Sequence, residues 1–147
     1  MRSGTENIPA IAGFREAVRK LPQLTAEENT DQKMAELRHY LFNSFKKIKA
    51  VEINSPESGA PHIINFSIPG IKGETMLHAL ESQGIYISTG SACSSKKKGS
   101  RIINACGLSA ARSESALRVS LNRNITKTDL DYFVETLKEQ IDFLKLF

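Results

Sequence analysis

Residues 84–96 read GIYISTGSACSSK, a short β-like segment followed by a loop of small residues. The alternation in the first part predicts a strand from Ile85 to Ser88. Cys93 follows this strand, among glycine, alanine and serine and beside three lysines at 96–98. A cysteine outside any apolar pattern, close to cations that favour its thiolate, is typical of a working thiol. Because no adjacent histidine supplies a base, the residues alone leave two readings open, a nucleophile and an incidental exposed cysteine.

The periodicity of the flanking sequence predicts an α+β domain. Apolar residues at helical spacing predict helices at 8–21, 74–83 and 101–106. Two more helices are predicted, one after a capping box formed by Thr25 and Glu28 and one after Thr126. Alternating residues predict strands at 51–53, 63–68, 85–88 and 117–121. Pro22 is predicted to end the first helix. This order favours helices packed on a small, mainly antiparallel sheet, in a single domain spanning residues 1–147.

The bulk composition is that of a globular chain. Of its 147 residues 40% are hydrophobic and 24% are charged, and the net charge of +4 permits nucleic-acid binding without indicating it. The two cysteines, Cys93 and Cys106, predict free thiols in a reducing compartment rather than a disulfide scaffold. The three histidines show no metal-ligand spacing, so no metal site is expected. Since no apolar run approaches ~18 residues and the first residues lack a signal-peptide core, we expect a cytoplasmic protein.

Three other places carry candidate chemistry. Cys106 lies in the last turn of a predicted short helix and is expected to pack in the core. Arg118 shares one face of an apolar strand with Ser120; its guanidinium either binds a carboxylate or phosphate or faces solvent on an edge strand. Residues 2–5 (RSGT) offer a guanidinium, two hydroxyls and a flexible backbone, which suit an anion site, although a short polar terminus explains them as well.

Three motifs together resemble those of the NifS/IscS-type cysteine desulfurases. They are RSGTENIPAIAGF at 2–14, ISTGSACSS at 87–95, and LRVSL at 117–121 ahead of a final amphipathic helix. They occur in the family's order and span essentially the whole chain. The resemblance implies the small C-terminal domain of a fold-type I pyridoxal-phosphate enzyme of the class V aminotransferase family, with residues 1–24 as a lead-in from the interdomain region.

The resemblance also implies a role for each motif. Cys93 would be the nucleophile that takes sulfur from L-cysteine, leaving L-alanine and a Cys93 persulfide. Arg118 would hold the α-carboxylate of the substrate. Thr5 would contact the cofactor phosphate of the neighbouring subunit in a homodimer. The persulfide would pass to sulfur-acceptor proteins, namely an iron–sulfur scaffold or a tRNA-thiolation enzyme.

The resemblance covers only part of such an enzyme. The large domain of the family, which carries the Schiff-base lysine and most of the phosphate site, has no counterpart among these residues. The chain alone is therefore expected neither to bind pyridoxal phosphate tightly nor to turn over L-cysteine. An alternative is a free-standing sulfur-carrier or adaptor module that uses Cys93 without a cofactor. A nucleic-acid-binding domain is a weaker hypothesis because no aromatic residues interleave with the lysines, and no direct nucleic-acid or membrane partner is expected.

Overall fold

The computed structural model describes residues 4, 6–26, 30–89 and 100–146 of the chain. The helices in this part are α1 (Ile8–Ala26), α2 (Thr30–Lys46), α3 (Gly73–Glu81), α4 (Arg101–Ala105), α5 (Ala110–Glu114) and α6 (Lys127–Leu144). The strands are β1 (Glu52–Ile53), β2 (Ile63–Ser67), β3 (Ser88–Thr89) and β4 (Ala116–Ser120).

The strands form one sheet in the order β1-β2-β4-β3, and every neighbouring pair is antiparallel. Side-chain alternation puts Ile64 and Phe66 of β2 on the same face as Leu117 and Val119 of β4, and all four are buried. Helices α2, α3 and α6 pack on this face and complete one hydrophobic core with Leu41, Phe42, Phe45, Met76, Leu80, Leu130, Phe133, Val134, Leu137 and Ile141. The predicted α+β fold with a small antiparallel sheet is confirmed.

Helices α2 and α6 are joined by apolar and polar contacts. The ring of Phe45 lies 4.5 Å from that of Phe66 and 6.0 Å from that of Phe133, measured between centroids. The Tyr40 hydroxyl donates a hydrogen bond to the Asp131 carboxylate. This bond raises the pKa of Tyr40, because the ionised oxygen would face a carboxylate and lose the bond. The two helices are therefore held together at the core and at its polar edge.

The long helices α1 and α6 each begin at a residue whose side chain caps the helix. Asn7 Oδ1 accepts a hydrogen bond from the Ala10 amide at 3.1 Å and starts α1. At the start of α6, Thr126 Oγ1 accepts from the Asp129 amide at 3.3 Å, and Asp129 Oδ2 accepts from the Thr126 amide at 2.8 Å. The capping box predicted at Thr126 is thus confirmed.

The first helix is longer than the sequence predicts. It continues past Pro22 to Ala26, so the expectation that Pro22 ends it is wrong. A proline removes one backbone donor, and the helix runs on for one further turn before it ends. Thr25 consequently lies inside α1 rather than at the start of α2, and the capping box predicted there is wrong; Glu28 lies outside the described residues.

The side chains of α1 lie away from the core. From Ile8 to Leu21 every side chain is exposed, including the large apolar ones, Ile8, Ile11, Phe14, Val18 and Leu21. Their spacing of three and four residues places them along one side of the helix. None of the helices in the described ranges combines the length and the hydropathy that a membrane span requires.

Two short elements near residues 84–115 differ from the prediction. Strand β3 comprises Ser88 and Thr89, and Ile85 and Ile87 before it pack against the core without joining the sheet. Helix α5 was not predicted, because five residues are too few to show an apolar period. It begins at Ser109, whose Oγ accepts from the Arg112 amide at 3.3 Å.

Candidate functional site

Arg118 lies on the face of the sheet opposite the core. Its strand is an inner one, with Asn65 of β2 directly across on one side and Ser88 of β3 directly across on the other. The side chain of Arg118 is exposed, and no described carboxylate lies within ion-pair distance of its guanidinium. The expectation of an edge strand is therefore wrong, but Arg118 does face solvent, as that alternative predicts, and its guanidinium is open to an anionic ligand.

The residues on both sides of segment 90–99 are anchored to the part of the chain that carries Arg118. Before the segment, Ser88 and Thr89 pair with Arg118 and Leu117. After it, the Ser100 amide donates to the Ser113 carbonyl at 3.2 Å, and Ser113 Oγ donates to the Ser100 carbonyl at 3.1 Å. The chain thus enters and leaves this segment beside the α5–β4 region.

Ser100 also starts helix α4, as the sequence predicts. Its Oγ accepts from the Ile103 amide at 3.5 Å, and Gly107 follows the helix with φ of +73°, a conformation that suits glycine. Ile103 is buried, and it fixes this short helix to the domain. Cys106, at the end of the helix, is exposed, so the expectation that it packs in the core is wrong. A five-residue helix presents only one side to the domain, and Cys106 is not on it.

A network of polar side chains that runs from Arg112 through Asn54 to Asn65, the neighbour of Arg118, was not predicted. Arg112 Nε donates to Asn54 Oδ1 at 2.8 Å, and Arg112 Nη2 donates to the Ile53 carbonyl at 2.7 Å. Asn54 Nδ2 in turn donates to Asn65 Oδ1 and to Ser67 Oγ, each at 2.7 Å. The alternation of β2 places Asn65 opposite the core, but the register that brings it next to Arg118 is a long-range feature that the sequence does not reveal.

A second polar site, in the loop between β1 and β2, has a structural role. Arg38 is only 5% exposed, and it donates to the carbonyls of Glu57 and Pro56 at 2.6 Å and of Ile63 at 3.3 Å. A cleft of about 490 Å³ opens beside it, between α2 and residues 57–61. Because the guanidinium is already bonded to three carbonyls, it holds this loop in place and is not directed at a ligand.

The other predicted site residues, Cys93 and Thr5, lie outside the described residues, as do Lys96–Lys98. Thr5 comes two residues before the Asn7 cap of α1. Within the described ranges, no three His, Cys, Asp or Glu side chains come together where they could hold a metal ion.

The fold and the arrangement of strands match a known class of enzymes. The family model described as aminotransferase class-V matches residues 1–133, and the chain belongs to that family. It is 36% identical to cysteine desulfurase IscS 1 of Archaeoglobus fulgidus and 37% identical to cysteine desulfurase IscS of Proteus mirabilis, over 99% of this chain in each case. A solved structure of a NifS-like protein from Rickettsia africae superimposes with a TM-score of 0.78 at 30% identity, over 96% of this chain.

The match covers only part of each relative. The chain spans 38% of the Archaeoglobus protein, 35% of the Proteus protein and 36% of the Rickettsia chain. The family is known for pyridoxal-phosphate chemistry, in which a lysine holds the cofactor.

The described residues do not fit this cofactor. A lysine that holds pyridoxal phosphate belongs in a site closed to water, whereas each described lysine side chain is exposed: Lys20, Lys33, Lys46, Lys47, Lys49, Lys72, Lys127, Lys138 and Lys145. Three of them already have partners within the domain. Lys33 Nζ donates to the Arg123 carbonyl, and Lys46 Nζ lies 3.5 Å from Glu57 Oε2. Lys127 Nζ lies over the Tyr40 ring, 4.6 Å from its centroid.

Proposed function

We propose that this chain is the C-terminal part of a cysteine desulfurase, contributing the sulfur-accepting thiol and the arginine that binds the substrate's carboxylate. The observation that carries the proposal is the antiparallel pairing of Ser88 with Arg118. It puts a guanidinium that has no ion-pair partner among the described residues beside the strand that precedes Cys93. The names of the relatives support the same activity, and the family match does not favour a free-standing carrier that acts without the cofactor.

The chemistry needs both groups within reach of one small molecule. Cys93 follows Thr89 by four residues, and a chain of that length spans at most about 14 Å. A substrate whose carboxylate binds Arg118 therefore lies within the range that this thiol can cover. The two lysines nearest in sequence to the thiol, Lys96 and Lys97, would favour its thiolate.

The proposed reaction transfers one sulfur atom. The Cys93 thiolate attacks the sulfur of L-cysteine, an S–S bond forms, and the bond between that sulfur and the substrate's β-carbon breaks. The carbon keeps the bonding electron pair and takes a proton, which gives L-alanine and a Cys93 persulfide. The persulfide can then pass its outer sulfur to an acceptor thiolate by the same exchange chemistry.

Further parts of the proposal concern the surroundings of this chain. The cofactor site would be supplied by polypeptide other than these 147 residues, so the chain by itself would be inactive. Thr5 would contact the cofactor phosphate bound by a neighbouring subunit of a homodimer. The sulfur acceptors would be an iron–sulfur scaffold or a tRNA-thiolation enzyme, and the site of action would be the cytoplasm.

Persulfide transfer to the chain tests the assignment of the thiol. The chain is incubated with an active cysteine desulfurase and L-cysteine, and each cysteine-containing peptide is then weighed by mass spectrometry. Cys93 should gain one sulfur, and C93S should gain none at that peptide, whereas C106S should behave as the unaltered chain. Sulfur found on Cys106 and not on Cys93 would make the assignment wrong.

Sulfide release tests whether the chain is sufficient. The chain is mixed with L-cysteine under reductant, with and without added pyridoxal phosphate, and sulfide is measured. We expect none above the level given by C93S. Sustained sulfide production by the unaltered chain would contradict the proposal that the cofactor site lies elsewhere.

A further inference from the structure

Three polar side chains form a row across the exposed face of the sheet. Asn65 of β2, Arg118 of β4 and Ser88 of β3 are direct cross-strand neighbours. Side chains at such positions have their Cβ atoms about 5 Å apart and point to the same face. A ligand that the Arg118 guanidinium binds over this face is therefore within reach of Asn65.

The orientation of the Asn65 amide follows from the network behind it. A guanidinium can only donate hydrogen bonds, so the oxygen of Asn54, and not its nitrogen, must face Arg112 Nε at 2.8 Å. The Asn54 nitrogen then faces Asn65, and it can donate only to the Asn65 oxygen, 2.7 Å away. Arg112 thus determines the orientation of both amide groups, first that of Asn54 and through it that of Asn65.

Because its oxygen faces Asn54, the Asn65 side chain directs its nitrogen, Nδ2, away from this network. No described residue accepts a hydrogen bond from Asn65 Nδ2, and no buried side-chain nitrogen or oxygen in the described part of the chain lacks a partner. The nitrogen is therefore reachable from solvent. Asn65 presents a fixed, available donor beside a guanidinium that has five donors of its own.

We propose that Asn65 is a second carboxylate-binding residue, donating from Nδ2 to the α-carboxylate of the amino acid that Arg118 binds. The inference rests on the proposed role of Arg118. Two donors from neighbouring strands match the two oxygens of a carboxylate, and the Arg112–Asn54 network fixes the second donor in advance. A guanidinium can bind both carboxylate oxygens by itself, but it sits at the end of a long, flexible side chain, so a second, fixed donor restricts where the carboxylate lies.

Nuclear magnetic resonance titration of the full chain tests this directly. L-cysteine is added under reductant to the ¹⁵N-labelled chain, and the side-chain signals of Arg118 Nε and Asn65 Nδ2 are followed. Both should shift with one dissociation constant. Cysteamine, which is cysteine without its carboxylate, should shift neither.

The variant N65A sharpens the test. Alanine removes the outward donor without placing a new charge beside Arg118, so affinity for L-cysteine should fall about tenfold or more, as expected for a lost hydrogen bond to a charged group. The control N104A makes the same chemical change at an exposed asparagine of α4 and should leave the affinity unchanged.

The outcomes separate this inference from the function on which it rests. If Arg118 shifts and Asn65 does not, or if N65A binds as well as N104A, the role of Asn65 is wrong while that of Arg118 stands. If neither signal shifts at saturating L-cysteine, both assignments fail.

Discussion

Ser113 Oγ donates to the Ser100 carbonyl at 3.1 Å, while the Ser100 amide donates back to the Ser113 carbonyl at 3.2 Å. Both residues are buried, at 4% and 8% exposure. This reciprocal pair fixes the first residue after segment 90–99 to helix α5, only a few residues from Arg118. It fixes the position of the first described residue that follows the proposed thiol in the sequence.

Replacing Ser113 by alanine tests this anchor. The variant S113A leaves the buried Ser100 carbonyl without its side-chain donor, which should cost about 1–2 kcal/mol in the free energy of unfolding. Its more specific effect should be faster hydrogen exchange at the amides of Asn104, in α4, and of Cys106, directly after it, which donate to the Ser100 and Ile102 carbonyls.

The matched control is S115A. Ser115 is also buried, but its Oγ donates to the Ala111 carbonyl within α5. It should lose comparable stability in urea unfolding without faster exchange in α4. Equal exchange in the two variants would show that the serine pair does not anchor that helix.

Arg38 should be among the most sensitive polar positions of the domain. The variant R38M removes the donors to three carbonyls, of Pro56, Glu57 and Ile63, and puts an unbranched apolar side chain in place of the arginine. Because these carbonyls lie partly out of water, we expect a loss of about 2–4 kcal/mol in the free energy of unfolding. The control R123M changes an exposed arginine and should shift the urea midpoint little. A small effect of R38M would mean that water replaces the guanidinium easily.

The sequence predicts those features of the fold that depend on local patterns. The alternation in Leu117–Leu121 gives the strand and the exposed face of Arg118, and Thr126 with Asp129 gives the start of α6. In both cases a few adjacent residues contain all the information that the structure uses. The order of the predicted helices and strands also gives the α+β class.

Strand order and the environment of short elements could not be predicted in this way. That β4 is an inner strand, with Asn65 on one side and Ser88 on the other, depends on pairings between residues far apart in the chain. Cys106 was assigned to the core from an apolar neighbourhood, but the orientation of a five-residue helix is set by the tertiary contact of Ile103. Arg38 gave no signal, because a buried arginine bonded to carbonyls has the same sequence appearance as a surface one.

Two phenylalanines should differ sharply in their contribution to stability. Phe45 is fully buried against Phe66 and Phe133, so F45A should cost about 3–5 kcal/mol in the free energy of unfolding. Phe14, on α1, is 72% exposed, and F14A should change it by less than about 0.5 kcal/mol. Both values come from chemical denaturation of the full chain. A large loss in F14A would show that α1 packs on other protein surface in solution.

The capping box of α6 should make stability depend on acidity. The hydrogen bonds from the Thr126 side chain and backbone lower the pKa of Asp129. A lowered pKa means that the folded state favours the carboxylate, so the stabilisation is present above the ordinary aspartate value of about 3.9 and is lost as pH falls through the lowered value. The variant D129N should therefore be less stable than the parent at pH 7.

A series of urea unfolding curves from pH 7 to pH 2 measures this effect. The difference between the parent and D129N should shrink below pH 4. The control D142N alters an exposed aspartate near the end of the same helix, and its difference from the parent should not follow this course. If the difference in the free energy of unfolding between the parent and D129N stayed constant down to pH 2, the carboxylate would not act through its charge.

Cys106 should react in the folded protein, since it is exposed at the end of α4. In the variant C93S it is the remaining thiol of the chain. A chromogenic disulfide reagent should therefore titrate one thiol per chain of C93S without denaturant, at a rate that urea raises only modestly. C93S with the further change C106S is the blank. If Cys106 became reactive only on unfolding, it would be buried in the folded protein, as the sequence predicts.

Fast labelling has a practical consequence, because it would make Cys106 an accessible competitor for sulfur. Persulfide found on Cys93 alone, in the presence of such a competitor, would then reflect a chemical property of that site and not mere access.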